Sequence, residues 1–249
     1  MRTESTSAGM HSMLRLFSLP RVARVGIGPL IAAVLLAAII LLTLISPWIA
    51  PHDPLAMNPM MRLKPPSDQY LLGTDNYGRD LFSRMILGGR ISLLIGLLAA
   101  ASSIAAGVLI GLIAGFFRTA DAIIMRMMDA LMAMPSILIA IALVALNGPS
   151  IGSVIVAITI PEIPRVVRLV RSVILSAREE PYVEAALALG SSTPKILFRH
   201  LLPNTMAPLI VQGTYIVASA ILTEAILSFL GAGISTEIPT WGNIMAEGR

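Results

Sequence analysis

Cysteine is absent from the 249-residue chain. That excludes disulfide frameworks, thiolate nucleophiles and cysteine-bound zinc together. Charge is scarce as well: Asp, Glu, Lys and Arg make up 13% of residues, against about 25% in a soluble domain. With a mean hydropathy of +0.83, this deficit excludes an ordinary soluble enzyme and a disordered chain alike. Aromatics are 5%, too few for the girdles of a membrane β-barrel. What is abundant is Leu, Ile, Ala, Val and Met, a composition suited to helices in lipid. The net charge is only +4, and the basic residues sort by segment rather than gathering into a nucleic-acid patch.

A bilayer core of about 30 Å takes about 20 apolar residues of helix. The charge-free runs predict five spans, at 28–48, 91–117, 121–146, 151–170 and 206–230. The third and fourth are separated by Asn147-Gly148-Pro149-Ser150, four turn formers that no lipid-exposed helix tolerates. The first span is longer than a signal-peptide core and is read as a retained anchor behind a basic stretch at 1–27. Placing the N-terminus in the cytoplasm puts 12 Lys and Arg inside and 5 in the external loop 49–90, which agrees with the positive-inside rule. The reading is therefore an all-α, multi-pass protein of the cytoplasmic membrane.

Three segments stand out. In the external loop, Leu81, Phe82, Met85 and Ile86 share one helical face, with Asp80 and Arg84 on another. This fits an amphipathic helix at the outer interface, or a docking or gating element. In the second span, Ala99, Ser103, Gly107, Gly111 and Gly115 recur every four residues, a stripe that lets another helix backbone approach closely. In the internal loop 171–205, a helix over Tyr182–Leu189 is capped by Gly190. A hydroxyl cap at Ser191-Ser192-Thr193 with Pro194 then starts a second helix, Lys195–Leu202, stopped by Pro203. Ala185, Leu187, Leu189, Ile196 and Leu197 cannot all be hidden in so short a loop, so the helix pair wants a soluble partner.

Glu184-Ala185-Ala186, Gly190 and His200-Leu201-Leu202-Pro203-Asn204 together resemble the EAA loop of ABC importer permeases. His200, where Ile is usual, is similar to the peptide-transport branch. Further pieces resemble its C-type subunits: Gly73-Thr74-Asp75, Gly78-Arg79-Asp80, Met134-Pro135-Ser136, Ser228-Phe229-Leu230-Gly231 and Thr240-Trp241-Gly242-Asn243. The resemblance covers about 28–249. It implies a type I importer bundle working with a second permease, two ATPase subunits that grip the EAA loop, and a solute-binding protein that delivers dipeptides, oligopeptides or, in one branch, nickel. It also implies six spans in full-length relatives, hence a chain cut short before the last. No G-x-x-x-x-G-K-[ST] is present, so ATP is expected to bind elsewhere.

The remaining chemistry is sparse. Gly148-Pro149-Ser150-Ile151-Gly152 matches G-x-S-x-G and keeps an intramembrane serine hydrolase as the alternative from another class, with a non-catalytic scaffold as a third. His11, His52 and His200 have no metal-ligand spacing, so neither metal nor cofactor is expected. Glu224, inside the last span, faces the bundle or pathway, or snorkels to water. Arg126 and Asp129, three apart, form a candidate gating pair. Arg165, Arg168 and Arg171 read as anchors beside anionic lipid.

Overall fold

The computed structural model describes residues 26–248; most of the basic stretch 1–27, and Arg249, lie outside the described residues. The chain divides at Ile45/Ser46 into two compact units. The first contains α1, Ile27–Leu44, 18 residues long and apolar throughout. At 1.5 Å per residue it is about 27 Å long, close to the thickness of a hydrocarbon core.

The second unit opens with a single turn, α2 (Ser46–Ile49), and an irregular segment containing one 3₁₀ turn at Pro59–Met61. Helix α3 then runs unbroken from Leu81 to Phe116, 36 residues. The amphipathic segment expected to lie apart at the interface is instead the first two turns of this span. Asp80 explains the start point: as N-cap its carboxylate accepts the Ser83 backbone N–H at 3.1 Å and the Ser83 hydroxyl at 2.5 Å. One backbone donor otherwise orphaned at a helix start is thereby satisfied, together with the Ser83 hydroxyl.

The third predicted span is corrected. Residues 118–147 form two helices, α4 (Arg118–Ala133) and α5 (Ser136–Asn147), bent by 89°. Pro135 is the cause, since the residue before a proline is pushed out of helical conformation, and Met134 is extended at φ −94°, ψ 140°. After a loop with Gly148 at φ +79°, α6 (Ile151–Ala177) runs for 27 residues with Pro161 and Pro164 inside it. α7 (Pro181–Ala188) and the short α8 (Thr193–Lys195) follow, then a π-helical segment, Ile196–Leu201, that leads into α9 (Leu202–Phe229) and finally α10 (Trp241–Glu247).

Pro203 does not stop a helix as expected. The π segment shifts the hydrogen-bond register, with the Leu202 N–H donating to the Leu197 carbonyl five residues back. Pro203 therefore falls in the first turn of α9, where its missing N–H costs nothing, and the helical run Thr193–Phe229 is continuous. By length and composition three helices can cross a membrane, or four if α4 and α5 count as one. The fourth predicted span, α6, is about 40 Å long but carries Glu162, Arg165, Arg168 and Arg171.

The helix pair α3 and α6 packs more extensively than any other. Gly107, Gly111 and Gly115 sit directly under Val166, Val170 and Ile174. A Cβ on these glycines would stand 2.5, 2.7 and 2.6 Å from the opposing side chains. Lipid provides no hydrophobic drive between helices, so this van der Waals approach is what joins them. Gly111→Val overpacks the contact, a change that costs about 1–3 kcal/mol. A thermal unfolding scan of the detergent-purified protein should show a melting temperature lowered by several degrees; an unchanged value would contradict the packing.

Candidate functional site

The segment joining α6 to α9 is held by its own backbone. Pro181 occupies the first position of α7, and Gly190, at φ +73°, ends it. The Ser191 N–H reaches the Ala186 carbonyl at 3.0 Å and the Gly190 N–H reaches that of Leu187 at 2.9 Å, the paired bonds of a Schellman ending. The expected hydroxyl cap on the following helix is not made: the Ser192 hydroxyl accepts from no backbone N–H of α8, and Pro194 is the second residue of that helix.

Val183, Ala186, Ile196, Leu197 and Leu201 are buried in one apolar cluster with Val170 and Ile174 of α6. Of the five apolar residues that could not all be hidden in the loop, Ile196 and Leu197 are thus inside. Ala185, Leu187 and Leu189 do project, Leu189 at 86% exposure. Glu184 is exposed beside them. A shallow groove of about 430 Å³ lies between Tyr182, Ala185, Leu189, Lys195, Arg199 and His200. The Tyr182 hydroxyl accepts from Asn204 Nδ2 at 3.0 Å, and the same amide donates to the His200 carbonyl at 2.7 Å. Leu202 and Pro203 form the base of α9 at the edge of this segment. One tie anchors the whole to the bundle: Arg178 Nη1 donates to the Gly115 carbonyl at 3.1 Å.

The motif residues 73–80 gather at the start of α3. Gly73 and Gly78 have φ of +80° and +73°, and a Cβ on Gly78 would fall 1.8 Å from the Asn58 carbonyl oxygen, so only glycine fits. Thr74 accepts from the Lys64 N–H at 2.8 Å and donates to the Met61 carbonyl. Arg79 Nε meets Asp75 Oδ2 at 2.6 Å, and Arg79 Nη2 meets both carboxylate oxygens of Glu247 at 2.9 and 3.0 Å. Arg84, fully buried, stands 3.4 Å from Glu247 and 3.5 Å from Asp75. Two guanidiniums and two carboxylates therefore neutralise one another, with Glu247 joining from 163 and 168 residues away from Arg84 and Arg79. Arg84 pairs with these groups and not with the Asp80 carboxylate.

Glu224 is fully buried, accepting from Thr240 Oγ1 at 2.8 Å and Ser228 Oγ at 2.9 Å. Gly242 lies so near that a Cβ would be 2.8 Å from the carboxylate. Of the expected orientations (bundle, pathway or snorkelling to water), the side chain takes the first: it is turned into the bundle and pins α10 to α9. Asp129 pairs with Arg168 of α6 at 2.6 Å, not with Arg126. Arg171 grips Asp121, with Nη2–Oδ2 at 2.6 Å, and Arg165 lies 3.3 Å from Glu162. The arginines read as lipid anchors are thus engaged by carboxylates on α4 and α6. Glu162 stands three residues from Arg165 on the same helix, but no spacing gave away Asp121 and Asp129, which come from a separate helix 50 and 39 residues away. Ser150 is the N-cap of α6, bonded to Ser153 N–H at 3.1 Å and Ser153 Oγ at 2.8 Å, with no histidine among its partners.

Residues 107–248 match the family model of the binding-protein-dependent transport system inner membrane component. The chain belongs to that family. Residues 28–66 match the N-terminal transmembrane domain of oligopeptide transport permease C. The permease is 55% identical over 197 residues to "Probable peptide ABC transporter permease protein y4tQ" of Sinorhizobium fredii, covering 79% of this chain and 68% of that one. It is 44% identical over 218 residues to the di/tripeptide transport system permease protein DppC of Pseudomonas aeruginosa, covering 85% and 72%. Its identity to the dipeptide transport system permease protein DppC of Alkalihalophilus pseudofirmus is 40% over 221 residues, covering 88% and 73%. It is a multi-pass membrane subunit that works with an ATPase and other subunits, and it is not itself an enzyme.

Glu247 is the keystone of the charge cluster. Removing one partner from a buried ion group costs about 3–5 kcal/mol. Glu247→Ala should therefore release the 50–80 segment from α10, raising its cleavage rate in limited proteolysis at least tenfold; wild-type resistance would show that the cluster does not hold it.

Proposed function

We propose that this permease is one half of the path in an ATP-driven importer of di- and oligopeptides, with its N-terminus in the cytoplasm. Segment 46–80 and α10 then face outward, and α7, α8 and the π segment face the cytoplasm. The observation carrying the reading is the pairing of an exposed apolar-and-acidic ridge (Glu184, Ala185, Leu189) with a buried base (Val183, Ala186, Ile196) welded to α6. A helix docked in a groove of an ATPase needs the ridge, and transmission of force needs the base.

In this reading Glu184 makes the polar contact, Ala185 allows close approach, and Gly190 sets the bend between the two helices. Ala186, His200, Leu202 and Pro203 hold the finger's shape. ATP-driven closure moves the finger, and Arg178 and the shared apolar cluster carry the motion into α6. A second permease completes the path, two ATPases grip the fingers, and a solute-binding protein delivers cargo to the outer face. The relatives above are named for peptide transport, which favours peptides over the nickel alternative. Ser150, spent on capping α6, supports no hydrolase.

Two substitutions test the coupling. Glu184→Arg reverses the charge of the ridge, and Gly190→Pro removes the N–H that closes α7. Either should reduce co-purification of the ATPase pair at least fivefold while the permease stays in the membrane fraction. Undiminished co-purification in both would refute the proposed grip. Ser150→Ala should leave peptide uptake unchanged within twofold.

A further inference from the structure

A helix in lipid can expose apolar side chains freely, but charged ones only to water or to another polar surface. α6 breaks the apolar pattern along one line. Its buried face is Val166, Val167, Val170 and Ile174, seated on the glycines of α3. On the other face Arg165, Arg168, Ser172 and Ser176 are all exposed at spacings of three and four, and Glu162, three residues above Arg165, is buried at the end of this line. The lower part is occupied by Asp129, which takes Arg168. The upper part is occupied differently. Arg165 Nη1 donates to Glu162 Oε1 at 3.3 Å and to the Tyr215 hydroxyl of α9 at 3.3 Å, with the guanidinium 5.8 Å from the Tyr215 ring centre. Its Nε and Nη2 donate to nothing among the described residues.

The depth of this group matters. Arg165 is the fifteenth of 27 residues in α6, and Tyr215 the fourteenth of 28 in α9. Within the spans read from the sequence, 151–170 and 206–230, they lie about 8 and 14 Å from the inner ends, so both helices place the group in the inner half of a bilayer. There the Arg165 side chain is 43% exposed and Tyr215 53% exposed. A half-exposed guanidinium at that depth with two free donors faces a wet cavity, not lipid.

We propose that Glu162, Arg165 and Tyr215 form a peptide-contact station in the inner half of the transport path. Arg165 and the Tyr215 hydroxyl receive the terminal carboxylate of the peptide, and Glu162 receives its terminal ammonium. This rests on the peptide-importer reading above. The chemistry suits a transient stop. Unoccupied, Glu162 and Arg165 neutralise each other, so the empty path carries no unpaired charge. An arriving zwitterion offers each of them a replacement for the partner it already has, so one ion pair is exchanged for two without a large net gain. Binding that exchanges contacts in this way lets the cargo leave again, as conduction requires. The planar fork of Arg165 is suited to a carboxylate, with Nε and Nη2 available for a paired contact.

The test uses the complete transporter, with partner permease, ATPases and binding protein, in liposomes. Because this chain holds no cysteine, Tyr215→Cys gives a single reporter in it once the other subunits are cysteine-free. A charged, membrane-impermeant thiol reagent should modify Tyr215→Cys, and a transported dipeptide with ATP should slow that reaction several-fold. Arg165→Gln should lower dipeptide uptake about tenfold, the loss of one charge-assisted contact, with binding-protein-stimulated ATP hydrolysis kept. Arg165→Lys, retaining charge but not the fork, should fall between. An unreactive Tyr215→Cys means the face is sealed against the partner subunit and overturns the station, as does wild-type uptake by Arg165→Gln. The labelling result stands alone if Arg165→Gln fails to assemble. A wild-type complex that hydrolyses ATP yet takes up no dipeptide rejects the peptide reading itself, and it is measured first.

Discussion

Where α3 and α6 meet, three glycines lie under three β-branched side chains at distances no other residue would allow. The rest of the second unit depends on that approach. Helices in lipid gain nothing from hiding apolar surface from one another, so close backbone contact must supply the association. Joining α3 to α6 ties the outer motif at the start of α3 to the finger at the end of α6. Val170 and Ile174 serve both sides, touching the glycines and sharing the apolar cluster that seats α7 and the π segment.

The charged groups obey one rule at both ends of this pair. Ions are matched by opposite charge whether buried or not: the buried Arg79 and Arg84 by neighbouring Asp75 and distant Glu247, the half-buried Arg171 by Asp121, and the exposed Arg168 by Asp129. Away from water, an unmatched ion is far more costly than a matched one. The matched pairs therefore fix which segments can lie together. Glu224 follows the same logic with neutral donors, Thr240 and Ser228. The group at Glu162, Arg165 and Tyr215 differs in that an exposed guanidinium with two unused donors sits beside a buried carboxylate and an exposed phenol.

Much of the fold was legible in the sequence because lipid constrains composition and length so strongly. The runs around 28–48 and 206–230, the break at Asn147–Ser150 and the ending at Gly190 depend on local chemistry alone, and local chemistry can be read from residues in order. The glycine stripe of α3 predicted a close neighbour but not its identity. What escaped was nonlocal or a matter of degree. Pro135 turns the third span through 89°, whereas Pro161, Pro164 and Pro208 sit inside continuous helices; surroundings decide which prolines break. Arg126 and Asp129 looked paired by spacing, yet the bend sends Asp129 to Arg168. Glu247 joins Arg79 only because α10 folds back onto α3, and no periodicity encodes a contact over that separation.

The central claim is that α3 and α6 move as one body while the finger is driven. Spin labels at Leu109 on α3 and Ser172 on α6, both exposed, can be placed without background because the chain has no cysteine. Double electron–electron resonance on the complete transporter, with and without ATP, would read their separation directly. A single narrow distance that stays the same in both states is the predicted result. A distribution that shifts or splits when ATP binds would mean the glycine contact slides or opens, and the account would fail.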